Sequence, residues 1–304
     1  KKLNYYFVLT IIFLIGFKLN IFAGVIVNSS TAHNLDVEVT LPEIQFIEQA
    51  MQDGNTYTTV LVDESGELEV GKPDVPVFGN WILIPNGTSA HVSVSLGNPI
   101  IYKNINLAPL QPSPYDSEDL PKPAFQKDEN VYSRNENYPG IFAKTEAAKK
   151  KREQQCTILW IYPYQYNPVQ KTLSVYPDLH VTVHFSGSIQ PIPVNVWNDQ
   201  LEKSLRSMAI NAKEVLSAEI RAQKTDIKNE SRIEGYEMLI ITALDFEDAA
   251  ENLAMWKKRK GITCKVVTTD ITGISVNSIE TYIDNEYYTC NPAPSYLLFV
   301  GDVE

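Results

Sequence analysis

"YEMLIITALDFEDAAENLAMWKKRKGITCKVVTT", residues 236–269, decides how the C-terminal part of this chain folds. Its opening, YEMLIIT, is a short apolar run that predicts a buried strand. "FEDAAENLAMWKKRK" follows with acidic residues in its first turn, Lys and Arg in its last, and Gly261 just beyond its end, the charge order that suits a helix dipole. Asp245 is expected to cap this helix, with Phe246, Ala249, Ala250, Leu253 and Trp256 on its inward face. A second strand, "TCKVVTT" (263–269), a helix over 275–288 and a third strand, "SYLLFVG" (295–301), complete the pattern. Alternating strands and helices with continuously apolar strands predict the start of a parallel, doubly wound sheet. A unit of about 70 residues does not easily bury a stable α/β core alone, so it reads as the opening of a larger domain.

Upstream the period changes. "DVEVTL" (36–41), "TYTTVLV" (56–62), "WILIP" (81–85), "HVSVSL" (91–96) and "HVTVHF" (180–185) alternate or run β-branched between Gly, Pro and Asn. Residues 24–195 therefore read as an all-β sandwich or jelly-roll-like domain. Within it, 108–152, opening "APLQPSPYDSEDLPKP", is expected to be a long irregular excursion. Its basic knot, "KKKRE" (149–153), reads as a solvated loop or helix end. Trp197, Leu201, Leu205, Met208, Ala212, Val215 and Ile220 recur at helical spacing and predict one amphipathic helix. "RAQKTDIKNESRIEG" (221–235), with almost no apolar anchor, predicts a linker, so 196–235 is taken as helix plus linker.

At 304 residues and 44% apolar composition the chain has room for two domains, and a net charge of −11 argues against general affinity for nucleic acid. Residues 1–23 begin with two Lys, continue with "YYFVLTIIFLIGF" and end at Ala23, the layout of a signal peptide; the apolar run is too short for a permanent membrane span. Export to the extracellular space or cell surface is expected. Three cysteines, Cys156, Cys264 and Cys290, exclude a disulfide scaffold, leaving either a Cys264–Cys290 bond or buried thiols.

Cysteine nucleophiles need a base, normally His. All four histidines, His33, His91, His180 and His184, fall in the β-rich part, and His91, His180 and His184 read as solvent-facing strand residues. His180 and His184, about 13 Å apart on a strand, do not form a helical zinc pair. Cys264 reads as a core thiol and Cys290 as a loop thiol without a nearby base. No Gly-rich phosphate loop follows the first parallel strand, so no nucleotide is expected. Gly301 and Asp302 differ in kind: they follow a buried parallel strand at its carboxyl end, where open α/β sheets place ligands.

The 236–269 stretch followed by "PSYLLFVGDVE" (294–304) resembles the opening of the catalytic domain of gingipain-like cysteine peptidases, with Trp256, Lys257, Gly261, Gly301 and Asp302 in matching places. "GKPDVPVFGNWILIPNG" (71–87) and "YPYQYNPVQKTLSVYPDLHVTVHF" (162–185) are similar to that family's propeptide. The resemblance implies a secreted zymogen in which a β-rich inhibitory propeptide docks on its own caspase-like α/β domain, here 236–304 and incomplete. It places the catalytic His and Cys downstream, so no catalytic residue is expected in this chain, which alone should be inactive. Protein or peptide substrates are implied, no cofactor is required for catalysis, and structural calcium is implied for the full catalytic domain without assignable ligands. An inhibitory side chain would come from Arg134, Lys144 or Arg152, and activation cleavage would fall at Arg221, Lys224, Lys228 or Arg232. The competing reading is a non-enzymatic secreted β-sandwich binding module with a degenerate α/β domain.

Overall fold

A computed structural model describes residues 24–41, 43–62, 69–113, 123–192, 196–225 and 233–301, with 220–225 described by backbone alone. Alternation of apolar and polar side chains builds the first layer. In the strand Asn34–Thr40, Leu35, Val37 and Val39 point inward while Asp36 and Glu38 do not; Leu179–Gly187 repeats the pattern with Leu179, Val181, Val183 and Phe185. These two strands pair antiparallel in the middle of a four-stranded sheet flanked by Gly24–Ser30 and Thr88–Leu96. A second antiparallel sheet orders Phe78–Leu83, Gln154–Ile161 and Ala143–Thr145, and Tyr164–Asn167, Thr172–Val175 and Ile100–Lys103 form a third. Their inward residues share one core with Phe78, Ile82, Leu159, Ile161, Tyr164 and Tyr166. The expected β-sandwich architecture is therefore present.

The excursion is more ordered than its composition suggests. It holds a short helix, Glu129–Tyr132, capped by the Asp128 carboxylate, and the strand Ala143–Thr145. The basic knot is not a loop or helix end: Lys149–Lys151 pairs antiparallel with Gln154–Cys156, and Lys149 and Lys150 form ion pairs with Glu146 and Glu153. Residues 114–122 lie outside the described set.

The outer face of the second sheet is covered by helices. Leu83 and Cys156, paired across it, pack with Leu201, Leu205, Ala212, Val215 and Leu216. The single helix expected here is two, Asp199–Met208 and Ala212–Thr225. The sheet edge interrupts it: Ala209 is extended, Ile210 N–H donates to Trp81 O at 3.1 Å, and the buried Asn211 amide accepts from Leu83 N–H (2.7 Å) and donates to Leu83 O (2.8 Å). Asn211 thus gives the strand edge the partners that a continuous helix would withhold. The second helix also runs five residues into the expected linker, four of which, Arg221, Ala222, Gln223 and Lys224, are good helix formers.

In the C-terminal part, Met238–Thr242 is flanked in parallel by Cys264–Thr268 and Tyr296–Val300, as expected. Helix Glu247–Arg259 covers one face through Ala250, Leu253 and Ala254; helix Val276–Thr289 covers the other through Ile279, Tyr282 and Ile283. Two expectations fail on the first helix. Asp245 lies in a preceding 3-10 turn, Leu244–Phe246, and makes no capping bond; Phe246, Ala249 and Trp256 face outward, Trp256 at 48% exposure. Ala250 and Ala254, four apart, allow close approach to the sheet, which bulkier side chains would prevent. Cys264 is half-buried on this face and Cys290 is buried on the other, so the sheet itself separates the two free thiols. Gly235 admits the close crossing of Ile233–Glu234 and Cys290–Asn291, since a Cβ there would strike Pro292 O.

Candidate functional site: the carboxyl edge of the parallel sheet

The strand order places the first parallel strand between the second and the third. Its two crossover helices leave on opposite faces, which opens a crevice between the carboxyl ends of Met238–Thr242 and Tyr296–Val300. Open α/β sheets bind ligands at this switch point. The strands stay joined to its lip: Ala243 N–H donates to Val300 O at 3.1 Å, and the buried Thr242 hydroxyl donates to Ala243 O at 3.0 Å. Leu244 (57% exposed) and Asp245 form one wall, and Gly301 is exposed at the other with open space where a side chain would be. Asp302 lies outside the described residues.

Among the described residues this rim holds no His or Cys, so it can bind or orient a substrate but carries no nucleophile–base pair. All four histidines are exposed in the β-rich part. The cysteines are poorly suited to form thiolates: burial pushes the thiol of each up, and the Glu286 carboxylate beside Cys290, with its oxygen 3.5 Å from the sulfur, raises that one further. Among the described residues no group of three or more His, Cys, Asp or Glu is placed to hold a metal ion.

The opposite, amino edge of the same sheet is where the two parts of the chain meet. Arg152, half-buried in the turn after Lys149–Lys151, donates to Ala293 O (3.3 Å), Pro294 O (2.9 Å) and Ser295 Oγ (3.3 Å), with its guanidinium 5.5 Å from the Tyr287 ring. Asn198 caps its helix through Oδ1 and donates from Nδ2 to Ser295 Oγ at 2.7 Å. Gln200 reaches Glu237 at 3.4 Å. Tyr287 also packs against the helix-covered face of the second β-sheet.

The other sequence candidates scatter. Arg134 is exposed just past the short helix Glu129–Tyr132, and Lys144 is exposed on Ala143–Thr145 with Nζ 5.8 Å from the Tyr162 ring. Arg221 and Lys224 stand in the last turns of Ala212–Thr225, while Lys228 and Arg232 lie outside the described residues. Two buried carboxyls went unremarked in the sequence. Glu219, fully buried, accepts from Asn86 N–H at 2.7 Å, and burial raises its pKa to about 7. Glu286 accepts from the Tyr236 hydroxyl and from Lys265 Nζ at 2.9 Å; burial alone would raise its carboxyl, but these hydrogen bonds together hold it below the ordinary range. Both follow an apolar stripe at helical spacing, 212, 215, 216, 219 and 279, 282, 283, 286, which is the signal that could have found them.

A β-rich domain closed by helices and joined to the opening of a parallel α/β domain has the layout of a peptidase propeptide attached to its enzyme. The Propeptide_C25 family model matches residues 25–215 and that of Peptidase family C25 matches 232–304. The chain belongs to this family, as its propeptide and the start of its peptidase domain. It is similar to Gingipain R1 of Porphyromonas gingivalis, 24% identical over 273 residues, covering 88% of this chain and 26% of that protein. Lys-gingipain HG66 of the same organism is 24% identical over 262 residues, covering 83% of this chain and 15% of that one. The chain thus spans about a quarter or less of these two relatives. A chain from the complex of Porphyromonas gingivalis RgpB pro- and mature domains shares the fold, with a TM-score of 0.53 at 20% identity over 62% of this chain and 97% of that one. Among the described residues no helix is long and apolar enough to cross a membrane.

Proposed function

We propose that this chain is the N-terminal zymogen portion of an exported cysteine endopeptidase, with residues 1–23 as its signal and the β-rich domain keeping the enzyme latent. The observation that carries this reading is the order of the two family matches, propeptide over 25–215 and peptidase over 232–304. The carboxyl-edge crevice forms one side of the active site, with Gly301 on its rim and Asp302 next to it in sequence. The nucleophilic Cys and its His base come from sequence beyond Glu304, and the substrates are proteins or peptides. Latency comes from a basic side chain of the β-rich domain entering the cleft, with Arg134 and Lys144 exposed for that role. Activation cleavage falls at Arg221, Lys224, Lys228 or Arg232; the first two stand in a helix that must unwind before a protease can bind them.

The test is to express the longer gene product and assay peptide hydrolysis before and after limited trypsin digestion, sequencing the new N-termini. Activity should appear only after cleavage within 221–232, and the 304-residue chain should show none. Full activity before any cut would refute latency, and a longer product inactive under every condition would refute the peptidase.

A further inference from the structure

Among the described residues, Arg152 is the one in the β-rich domain whose side chain makes several polar contacts with the peptidase part, and its backbone is left-handed, φ 54°. That region is costly for a residue with a Cβ, and a tight turn between Lys149–Lys151 and Gln154–Ile161 would be met more easily by glycine. The position therefore keeps a long cation despite the turn's preference. Its side-chain partners among the described residues lie in the other part: two carbonyls and a hydroxyl of residues 293–295, with the Tyr287 ring alongside. A guanidinium has a planar array of donors that can meet three such acceptors and stack on a ring at once; an ammonium lacks that fork.

Position decides what this contact does. Residues 293–295 lead into the amino end of Tyr296–Val300, whereas Gly301 follows its carboxyl end. Five residues of strand separate the two by roughly 17 Å at the usual rise. An arginine held at one end cannot also fill a cleft at the other. Asn198 and Gln200 reach the same amino edge, at Ser295 and Glu237, and the Glu237 carbonyl accepts from both Ser295 N–H and Tyr296 N–H.

We propose that Arg152 is the anchor by which the propeptide holds the peptidase part from the amino edge of its parallel sheet, so that retention and inhibition are carried by separate surfaces. The inference rests on the zymogen reading. After a cut in 226–232 the propeptide stays bound through this edge, and loss of the anchor frees it.

The experiment places a site-specific protease sequence within 226–232 of the full 304-residue chain, carrying a tag on the β-rich part, and follows retention of the released C-terminal piece. The unsubstituted chain should retain it. Arg152→Gly and Arg152→Lys should each weaken retention by about ten- to a hundredfold, the loss expected for hydrogen bonds to a charged group. Lys150→Ala, on the same hairpin but paired with Glu153, should leave retention unchanged. Because glycine suits φ 54°, Arg152→Gly should keep or raise the unfolding midpoint of the β-rich domain, a split that a merely structural arginine would not produce. Retention by Arg152→Gly equal to that of the unsubstituted chain, or release of the piece with Arg152 intact, would overturn the proposal. Absence of latent peptidase activity in the longer gene product would instead strike the zymogen reading, through a separate measurement.

Discussion

Glu219 and Glu286 occupy equivalent places on two helices and respond to pH in opposite directions. Glu219 sits where Ala212, Val215 and Leu216 bury their side chains, and no cation is among the groups acting on it; its Oε2 and the Gln154 Oε1 are buried without partners among the described residues. Its native pKa, about 7, exceeds the unfolded value, so the native state holds a proton that the unfolded chain releases. Stability is therefore full below about pH 4.3 and declines as pH rises to about 7, by on the order of 3 kcal/mol. Glu219→Gln should remove that decline and raise the urea midpoint at pH 8, which parallel titrations at pH 4.5, 6 and 8 would measure. Glu286 has the reverse sign: its lowered carboxyl gives stability present above the unfolded carboxylate value and lost as pH falls through the native one. Glu286→Gln should destabilise by about 1–2 kcal/mol at pH 7 and by less in acid, read from the same titrations, because the bond from Lys265 loses its charge assistance.

Elements show what the sequence made legible and what it hid. The parallel strands match their apolar runs to within two residues; the central one is buried on both faces, where little but apolar residues is tolerated, whereas the third, expected to be buried, exposes Tyr296, Leu297 and Phe299 at the sheet's edge. The helix pair after the β-domain was read as one, since the apolar spacing from Leu201 to Val215 crosses the break almost in phase. What breaks it is a long-range demand: Asn211 bonds both backbone groups of Leu83, 128 residues away, and no local pattern announces such a partner. Likewise Phe246 and Trp256 look like core in composition but face outward, while the sheet is approached through Ala250, Leu253 and Ala254. Of the candidate site, the carboxyl-edge position of Gly301 could be read from strand and glycine alone, but the role of Arg152 could not, because its turn looks like any basic surface run. Asn211→Ala should leave two buried strand-edge groups unpaired and cost about 2–4 kcal/mol, measured by thermal unfolding; Asn211→Leu should not restore it, since volume is not what is lost.

At the scale of the whole molecule, three antiparallel sheets share one core, the helix pair covers the outer face of the second, and the parallel sheet with its helices is joined to them at its amino edge. The β-rich layers and their helices form closed cores, with Leu35, Ile82, Leu159, Tyr164, Leu179 and Leu205 fully buried. The parallel layer is different. On its third strand Leu297 is 43% and Phe299 58% exposed, and Phe299, Val276, Ile279 and Ile283 line an open apolar groove of about 320 Å³. A three-stranded sheet with one side so exposed gains little from its own burial, and its firmest outside support is the amino-edge contact with Arg152, Asn198 and Gln200. The cooperative unit of this chain should therefore be asymmetric. Residues 24–225 expressed alone should fold with the melting temperature of the full chain, whereas 233–304 alone should lack amide-exchange protection in 238–242 and 296–300. Within the full chain those same amides should be protected, and Arg152→Gly should speed their exchange while leaving the amides of 179–187 unchanged. Native-like protection in isolated 233–304 would show that the parallel layer folds without the propeptide, and the dependence argued from its open face would fail.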